Sequence, residues 1–329
     1  MRSRRAWFAA QLVVTLALIA ALFGQFDWRK FQLVVLGTPL WFYLASFAVV
    51  LVWLVLYTLK WSLVLRAIGV NVPFAGLARQ YLISLFFGNF LPTTVGGDVA
   101  KVYYLGRHEG YIDVGASVVL DRFLGLLSLT VIATILAWSL HVASVPFVLA
   151  RQTLTALCLA CVALWLVVRL VSTRGSATGG SPDASLRRRL VDRCRAYLLP
   201  VKAVAQRPAV VGGVAAIVLT YFLLLTGVYR VFFRLAGAAD AGTVPVLTAV
   251  IMISVFSSVP ITVNGIGLRE QLHFLLLAEL GLPKEVSVSI SLLMFGHVLL
   301  LSLAGYALWV SMKVGGPRLA GPTALRSIE

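Results

Sequence analysis

Charge is thin in this chain and acidic charge thinner still: Asp and Glu number 12 in 329 residues, and charged residues of both signs make up 12%. An ordinary water-facing surface carries about twice that share, so a soluble globular domain is excluded. Cysteine is nearly absent, at three residues. Cys158 and Cys161 lie in an apolar run with no His or carboxylate nearby, and Cys194 sits in a basic stretch without an obvious partner, so packing is expected rather than metal or redox use. The chain lacks a P-loop, an Asp-x-Asp motif and any His/Cys metal spacing. No cofactor and no metal are therefore expected.

Apolar sequence is what the chain has in quantity, 60% of it by residue, and this predicts an integral membrane protein. A net charge of +16 would suggest nucleic acid if the basic residues formed one folded face. Here they fall in short loops between apolar runs, the pattern that sets membrane topology and meets anionic headgroups. Membrane lipid is the expected partner, and nucleic acid is not.

Arg2, Arg4 and Arg5 precede an apolar run at 7–26 that is longer than a signal-peptide core and has no convincing cleavage site, so an uncleaved first helix is expected. The run 39–59 returns, with Lys60 and Arg66 marking the cytoplasmic side. A shorter run at 76–91 carries Arg79 at its start, and Lys101, Arg107 and His108 precede the run 113–140. The loop at 141–146 has no Lys or Arg, whereas 174–207 after the next run holds eight. The runs 209–236 and 286–312 complete the set, with Asp240 between them and Lys313, Arg318 and Arg326 after them.

These assignments fix a parity. The segment between Arg79 and Lys101 must enter and leave on the cytoplasmic side, and 243–282 must enter and leave on the other. The expected fold is all-α and polytopic, with six full transmembrane helices and two re-entrant hairpins in an inverted repeat. The expected divisions are 1–140 as the first membrane repeat, 141–172 as the helix opening the second, 173–208 as a basic cytoplasmic linker, 209–312 as the rest of the second repeat and 313–329 as a cytoplasmic tail. Both termini are placed in the cytoplasm of a bacterial inner membrane.

The two hairpin tips carry related sequence. PTTVGGDVAK at 92–101 and PITVNGIGLR at 260–269 align at an offset of 168, sharing Pro92/Pro260, Thr94/Thr262, Val95/Val263, Gly97/Gly265 and a cation, Lys101/Arg269. Proline and glycine are the poorest helix formers, and irregular backbone at membrane depth survives only inside protein or beside a watery cavity. Interrupted apolar segments at matching positions of two halves point to a transporter's binding site. The breaks are assigned to Pro92, Gly96, Gly97, Pro260, Gly265 and Gly267.

At these residues the chain resembles a known family. The stretch from Phe90 to Leu129, with its Gly-Asp pair, "LGRHEG" and Asp121-Arg122, is similar to the first block of the membrane domain of lysylphosphatidylglycerol synthases and their free-standing relatives. PITVNGIGLREQLHFLLLAELGLP at 260–283 resembles its second block. Asp98 stands where Glu is more usual and Asn264 where Gly is. The resemblance implies translocation of lipid between leaflets. About 17 residues follow the last run, so the aminoacyl-transferase domain of the fused synthases is not expected, and a separately encoded lipid-modifying enzyme becomes a conceivable partner.

Ionisable groups within apolar sequence are functional candidates by default. Arg122 and Arg269 are read as a shared cationic centre for a lipid phosphate, since a guanidinium fork matches phosphate oxygens, and Lys101 joins them. Asp121 and Glu270 are expected to hold the two arginines, with Asp98 as a further supporting carboxylate. Arg79 and Arg107 are placed at the cytoplasmic boundary to collect headgroups, a role that topology anchoring would equally explain. His297 reads as a packing residue that retains a titratable ring. His108 and Asp113 match the His-x4-Asp spacing of membrane acyltransferases, the one foothold for an enzyme, without the accompanying phosphate motif. A non-transporting lipid-binding subunit is the remaining alternative. The lipid, the energy coupling and the oligomeric state are open, an oligomer being possible.

Overall fold

A computed structural model describes residues 2–24, 27–90, 96–174, 200–238, 241–259 and 261–314. Pro92 and Pro260, most of the basic stretch at 173–208 and all but the first residues of the tail at 313–329 lie outside them. The described residues form helices without strands. In chain order these are α1 (Arg2–Phe23), α2 (Trp28–Gly37), α3 (Leu40–Ala67), α4 (Phe74–Phe90), α5 (Gly96–Glu109), α6 (Tyr111–Ser139), α7 (Val145–Arg174), α8 (Pro208–Leu235), α9 (Thr243–Ser257), α10 (Leu268–Ala278) and α11 (Lys284–Val314).

Length sorts them. Helices α3, α6, α7, α8 and α11 have 28 to 31 residues, or about 42–46 Å at 1.5 Å per residue, against a hydrocarbon core of about 30 Å. These five are long and apolar enough to cross a membrane, so the chain is a multi-pass membrane protein. The expected first crossing falls in α1, a 22-residue helix with an apolar stretch at Gln11–Ala21. By contrast, α4, α5, α9 and α10 have 17, 14, 15 and 11 residues, the longest reaching only about 26 Å.

The short helices come in two adjoining pairs. Each pair packs against itself, α4 on α5 and α9 on α10, and each is followed by a long helix that packs on its second member, α6 on α5 and α11 on α10. The halves then exchange: α4 lies on α11, α9 on α6, and α3 meets α8 between them. The two halves therefore repeat one packing scheme, as the duplicated motif leads one to expect.

The main core gathers Phe42 of α3, Leu124 of α6, Phe222 and Phe232 of α8 and Ile251 of α9. Helix α9 is apolar all round, and nearly every residue from Val246 to Val255 is buried, which fits a helix enclosed by protein on every side. A smaller core around Trp61, Leu77, Tyr81 and Val114 ties α3, α4 and α6. Helix α4 approaches α11 closely because residue 305 is glycine: a Cβ there would collide with the Leu82 carbonyl oxygen.

Two features escape the sequence reading. The turn into α2 is capped by Asp27, whose Oδ1 accepts the amides of Arg29 at 3.0 Å and Lys30 at 3.1 Å. The Lys30 amide first, then that of Arg29, holds the carboxyl below its ordinary value. Helix α1 packs on α10 and on the turn before it, covering the second break. A Cβ at Gly267 would stand 3.0 Å from Leu18 Cβ and 3.3 Å from the Thr15 carbonyl oxygen.

Candidate functional site

After α9 the chain turns through a single 3-10 turn, Val263–Gly265, before α10 begins. Asn264, Gly265 and Gly267 have φ of 53°, 74° and 82°. That left-handed region is open to glycine, and Asn is among the few other residues that visit it. Gly96 and Gly97 behave differently, being already helical in the first turn of α5. There a missing side chain serves close approach, since a Cβ at Gly97 would lie 2.5 Å from the Ser84 carbonyl oxygen.

The second break delivers α10 with unfilled amide donors, and Glu270 closes back on them. Its Oε2 accepts the Gly267 N–H at 2.8 Å, the acidic half of a capping box. Its Oε1 receives Arg269 Nη2 at 2.6 Å, Arg269 Nε at 3.0 Å and the Ser291 hydroxyl at 3.1 Å. Arg269 Nε also donates to Ser291 Oγ at 3.2 Å, and the guanidinium lies 4.4 Å over the Phe295 ring. Its Nη1 edge has no partner among the described residues, and the side chain is 23% exposed.

One turn on, His273 Nδ1 lies 2.7 Å from the Arg269 carbonyl oxygen and Nε2 lies 2.7 Å from the Tyr229 hydroxyl. A carbonyl only accepts, so in the neutral ring Nδ1 carries the proton and Tyr229 donates to Nε2. The ring thereby fixes the first turn of α10 against α8.

Arg269 lines a cavity of about 390 Å³ where the two halves meet. Trp53 and Tyr57 of α3, Tyr221 and Tyr229 of α8 and Phe295 of α11 give it an aromatic wall, and among the described residues its lining holds no carboxylate. Ser257 lines it too, with Oγ buried and unpartnered. Asn264 Nδ2 donates to Asn89 Oδ1 at 2.8 Å, and Asn89 Nδ2 to Ser302 Oγ at 2.6 Å. Asn89, near the end of α4, and Asn264, in the second break, both line the cavity.

The first half arranges its charges otherwise than expected. Asp121 does not hold Arg122. Its Oδ2 lies 3.2 Å from Lys60 Nζ, both side chains are buried, and Lys60 also sits 4.5 Å over the Tyr57 ring. Arg122 pairs instead with Asp98, Nε to Oδ2 at 2.5 Å, and is 59% exposed. Successive helix residues point about 100° apart, so the short Asp121 arm faces α3 while Arg122 faces α5. Arg122 does not line the central cavity with Arg269. Lys60 lies inside α3, seven residues before the helix ends at Ala67, and faces Asp121.

Lys101 is buried too, with Nζ 3.8 Å over Tyr81 and 4.9 Å over Trp61. It does not line the central cavity, although it aligns with Arg269. Trp61 is held by its Nε1 donating to Ser117 Oγ at 3.1 Å. A second cavity, about 880 Å³, lies between the start of α4, the end of α5 and the end of α11, and it brings Arg79 and Arg107 together with His108. Asp113 stands across Gly110 in the first turn of α6. His297 lines an apolar groove of about 560 Å³ beside Tyr43 and Phe90, its ring 5.5 Å from that of Phe47 and its Nδ1 unpartnered.

Sequence reasoning missed Lys60, the Asn89–Asn264 link, Tyr229 and His273. Lys60 carried a usable signal, an ammonium continuous with an apolar run, but it was spent on topology. The others carry none, because their partners lie 44 and 175 residues away.

The comparisons with known proteins agree with this architecture. Residues 8–305 match the family described as the lysylphosphatidylglycerol synthase transmembrane region. The chain is also similar to a UPF0104 membrane protein of Pyrococcus horikoshii, 23% identical over 270 residues that cover 74% of this chain and 77% of that one. With nearly the whole helical bundle inside the match, the chain belongs to the lysylphosphatidylglycerol synthase transmembrane-region family.

Proposed function

We propose that this protein moves a phosphate-bearing lipid, a phospholipid or a polyprenyl-phosphate-linked lipid, between the leaflets of a bacterial inner membrane. The observation that carries this reading is Arg269: a guanidinium braced by Glu270 and Ser291, on the lining of a cavity it shares with Asn89 and with Asn264 of the second break. A cation spends its charge on a ligand only if its own carboxylate leaves donors free, and Nη1 is such a donor. Ser257 Oγ, Asn89 and the aromatic wall supply further neutral contacts for a headgroup.

In this reading α1 is the sixth crossing. The two short-helix pairs enter from opposite faces, and the basic ends at Arg66, Arg79 and Arg107 face the cytoplasm, as do both termini. Residues 1–140 and 141–312 are the two membrane repeats, with the basic stretch at 173–208 on the cytoplasmic side. Transport runs downhill or is driven by an ion gradient. The partner is membrane lipid, supplied by a separately encoded lipid-modifying enzyme, and the chain itself performs no catalysis.

The test is a leaflet assay. Purified protein in vesicles with a headgroup-labelled phospholipid should accelerate loss of inner-leaflet signal to an impermeant quencher. Lipid that co-purifies stoichiometrically without any acceleration would replace transport by the lipid-binding accessory role.

A further inference from the structure

The cations of the end cavity are balanced differently from those elsewhere in the bundle. Lys60, Arg122 and Arg269 each hold a carboxylate. Arg79 and Arg107 hold none among the described residues; Arg107 lies 4.1 Å over the Tyr103 ring and donates to its hydroxyl, and Arg79 makes no such contact. Both arginines are exposed on the wall of the 880 Å³ cavity. Two guanidinium forks with no paired carboxylate among the described residues, on one concave wall that also carries Glu109, suit phosphate oxygens.

Two acceptors share that wall. Glu109 lines it, as does Gln80, whose side chain is 7% exposed and whose Oε1 is buried with no partner. A hidden amide oxygen that has lost water and gained nothing is costly to keep. Gln80 lines the cavity, and a ligand N–H or O–H that reached this oxygen would satisfy it. Trp309, donating from Nε1 to the Tyr104 hydroxyl at 2.6 Å, adds an amphipathic ring to the same lining, and His108 a third basic group.

We propose that this cavity is a second lipid-headgroup site, separate from Arg269 and selective for a phosphodiester whose substituent carries a hydrogen-bond donor, a hydroxyl or an ammonium with N–H. Arg79 and Arg107 hold the phosphate; Gln80 and Glu109 read the donor. The proposal rests on the reading that the chain handles phospholipid, and it adds a rule for which headgroups are admitted.

The experiment is native mass spectrometry of the full chain in detergent, titrated with phosphatidylethanolamine, phosphatidylglycerol and phosphatidylcholine of identical acyl chains. Phosphatidylcholine has the phosphate and the positive charge but no donor, so the parent should bind it roughly fivefold more weakly than the other two, the worth of one hydrogen bond. Gln80→Met should erase most of that preference while phosphatidylcholine binding stays put. It should also melt at or above the parental temperature, because an unpartnered amide is being removed; a structural glutamine would instead lower the melting temperature. Arg79→Gln with Arg107→Gln should weaken all three lipids by about tenfold or more, as loss of charge-assisted contacts to phosphate requires. Equal binding of the three lipids by the parent, or a full preference retained in Gln80→Met, overturns the proposal. Arg269→Gln should keep the preference intact, so a failure of the central site appears in translocation and not in this readout.

Discussion

Each deep cation in this molecule is held in its own way: Lys60 by Asp121, Arg269 by Glu270, Lys101 by two aromatic faces. The first is wholly enclosed, so removing its anion strands an ammonium in apolar surroundings. Asp121→Asn should therefore cost about 3–5 kcal/mol, as breaking a buried pair does. Replacing both partners, Lys60→Met with Asp121→Leu, should recover most of it. Arg122→Gln, which breaks a pair that is more than half exposed on the arginine side, should cost no more than about 1 kcal/mol. Thermal unfolding of the four proteins in one detergent checks the ordering; equal losses for Asp121→Asn and Arg122→Gln would return Asp121 to Arg122. Residue types were legible here and partners only partly so. Glu270 could be matched to Arg269 because both open one helix, whereas Asp121 finds Lys60 across 61 positions, which no local pattern encodes.

Short helices carry the architecture. Pro-Gly breaks and the parity of the flanking charges led to the expectation that 76–101 and 243–282 would each turn back on itself, and each holds two short helices. What could not be read was the inequality of the two tips. Both align residue for residue, yet Gly97 is helical and packed on Ser84, while Gly265 and Gly267 take left-handed φ; tertiary contacts with α4 and α1 decide this. Helix α2 was missed because ten residues of mixed polarity do not make a membrane-length apolar run, the signal by which the helices were sought. The α4–α11 seam offers a check at this scale. Gly305→Ala places a methyl against the Leu82 carbonyl and should destabilise by about 1–3 kcal/mol, the usual result of overpacking. Gly296→Ala on the same helix, with nothing within 4 Å of the new Cβ, should be neutral or gain up to about 1 kcal/mol from helix propensity. The unfolding midpoint of Gly305→Ala should fall while that of Gly296→Ala holds or rises; no fall for Gly305→Ala would mean the seam is looser than the backbone contact implies.

For the molecule as a whole, the packing scheme of one half recurs in the other, and the halves are joined by exchange of their short-helix pairs around a cavity that holds one half-free arginine. The multi-pass character was legible from hydropathy, and the duplicated tips pointed to the two pairs of short helices. The cavity was not, since its wall draws single residues from helices far apart in the chain. The orientation argued from basic loops makes a direct prediction: in a chain cleared of its own cysteines, Ala177→Cys should be protected from an impermeant thiol reagent in intact cells and Ala239→Cys should react. The reverse pattern would invert the bundle in the membrane. The central claim is that a lipid phosphate passes the free edge of Arg269, and translocation by Arg269 variants in vesicles tests it most directly. Arg269→Gln should insert normally and lose translocation by about tenfold or more, while Arg269→Lys, which keeps the charge and loses the fork, should fall between. Translocation at the parental rate by a normally inserted Arg269→Gln would contradict the account.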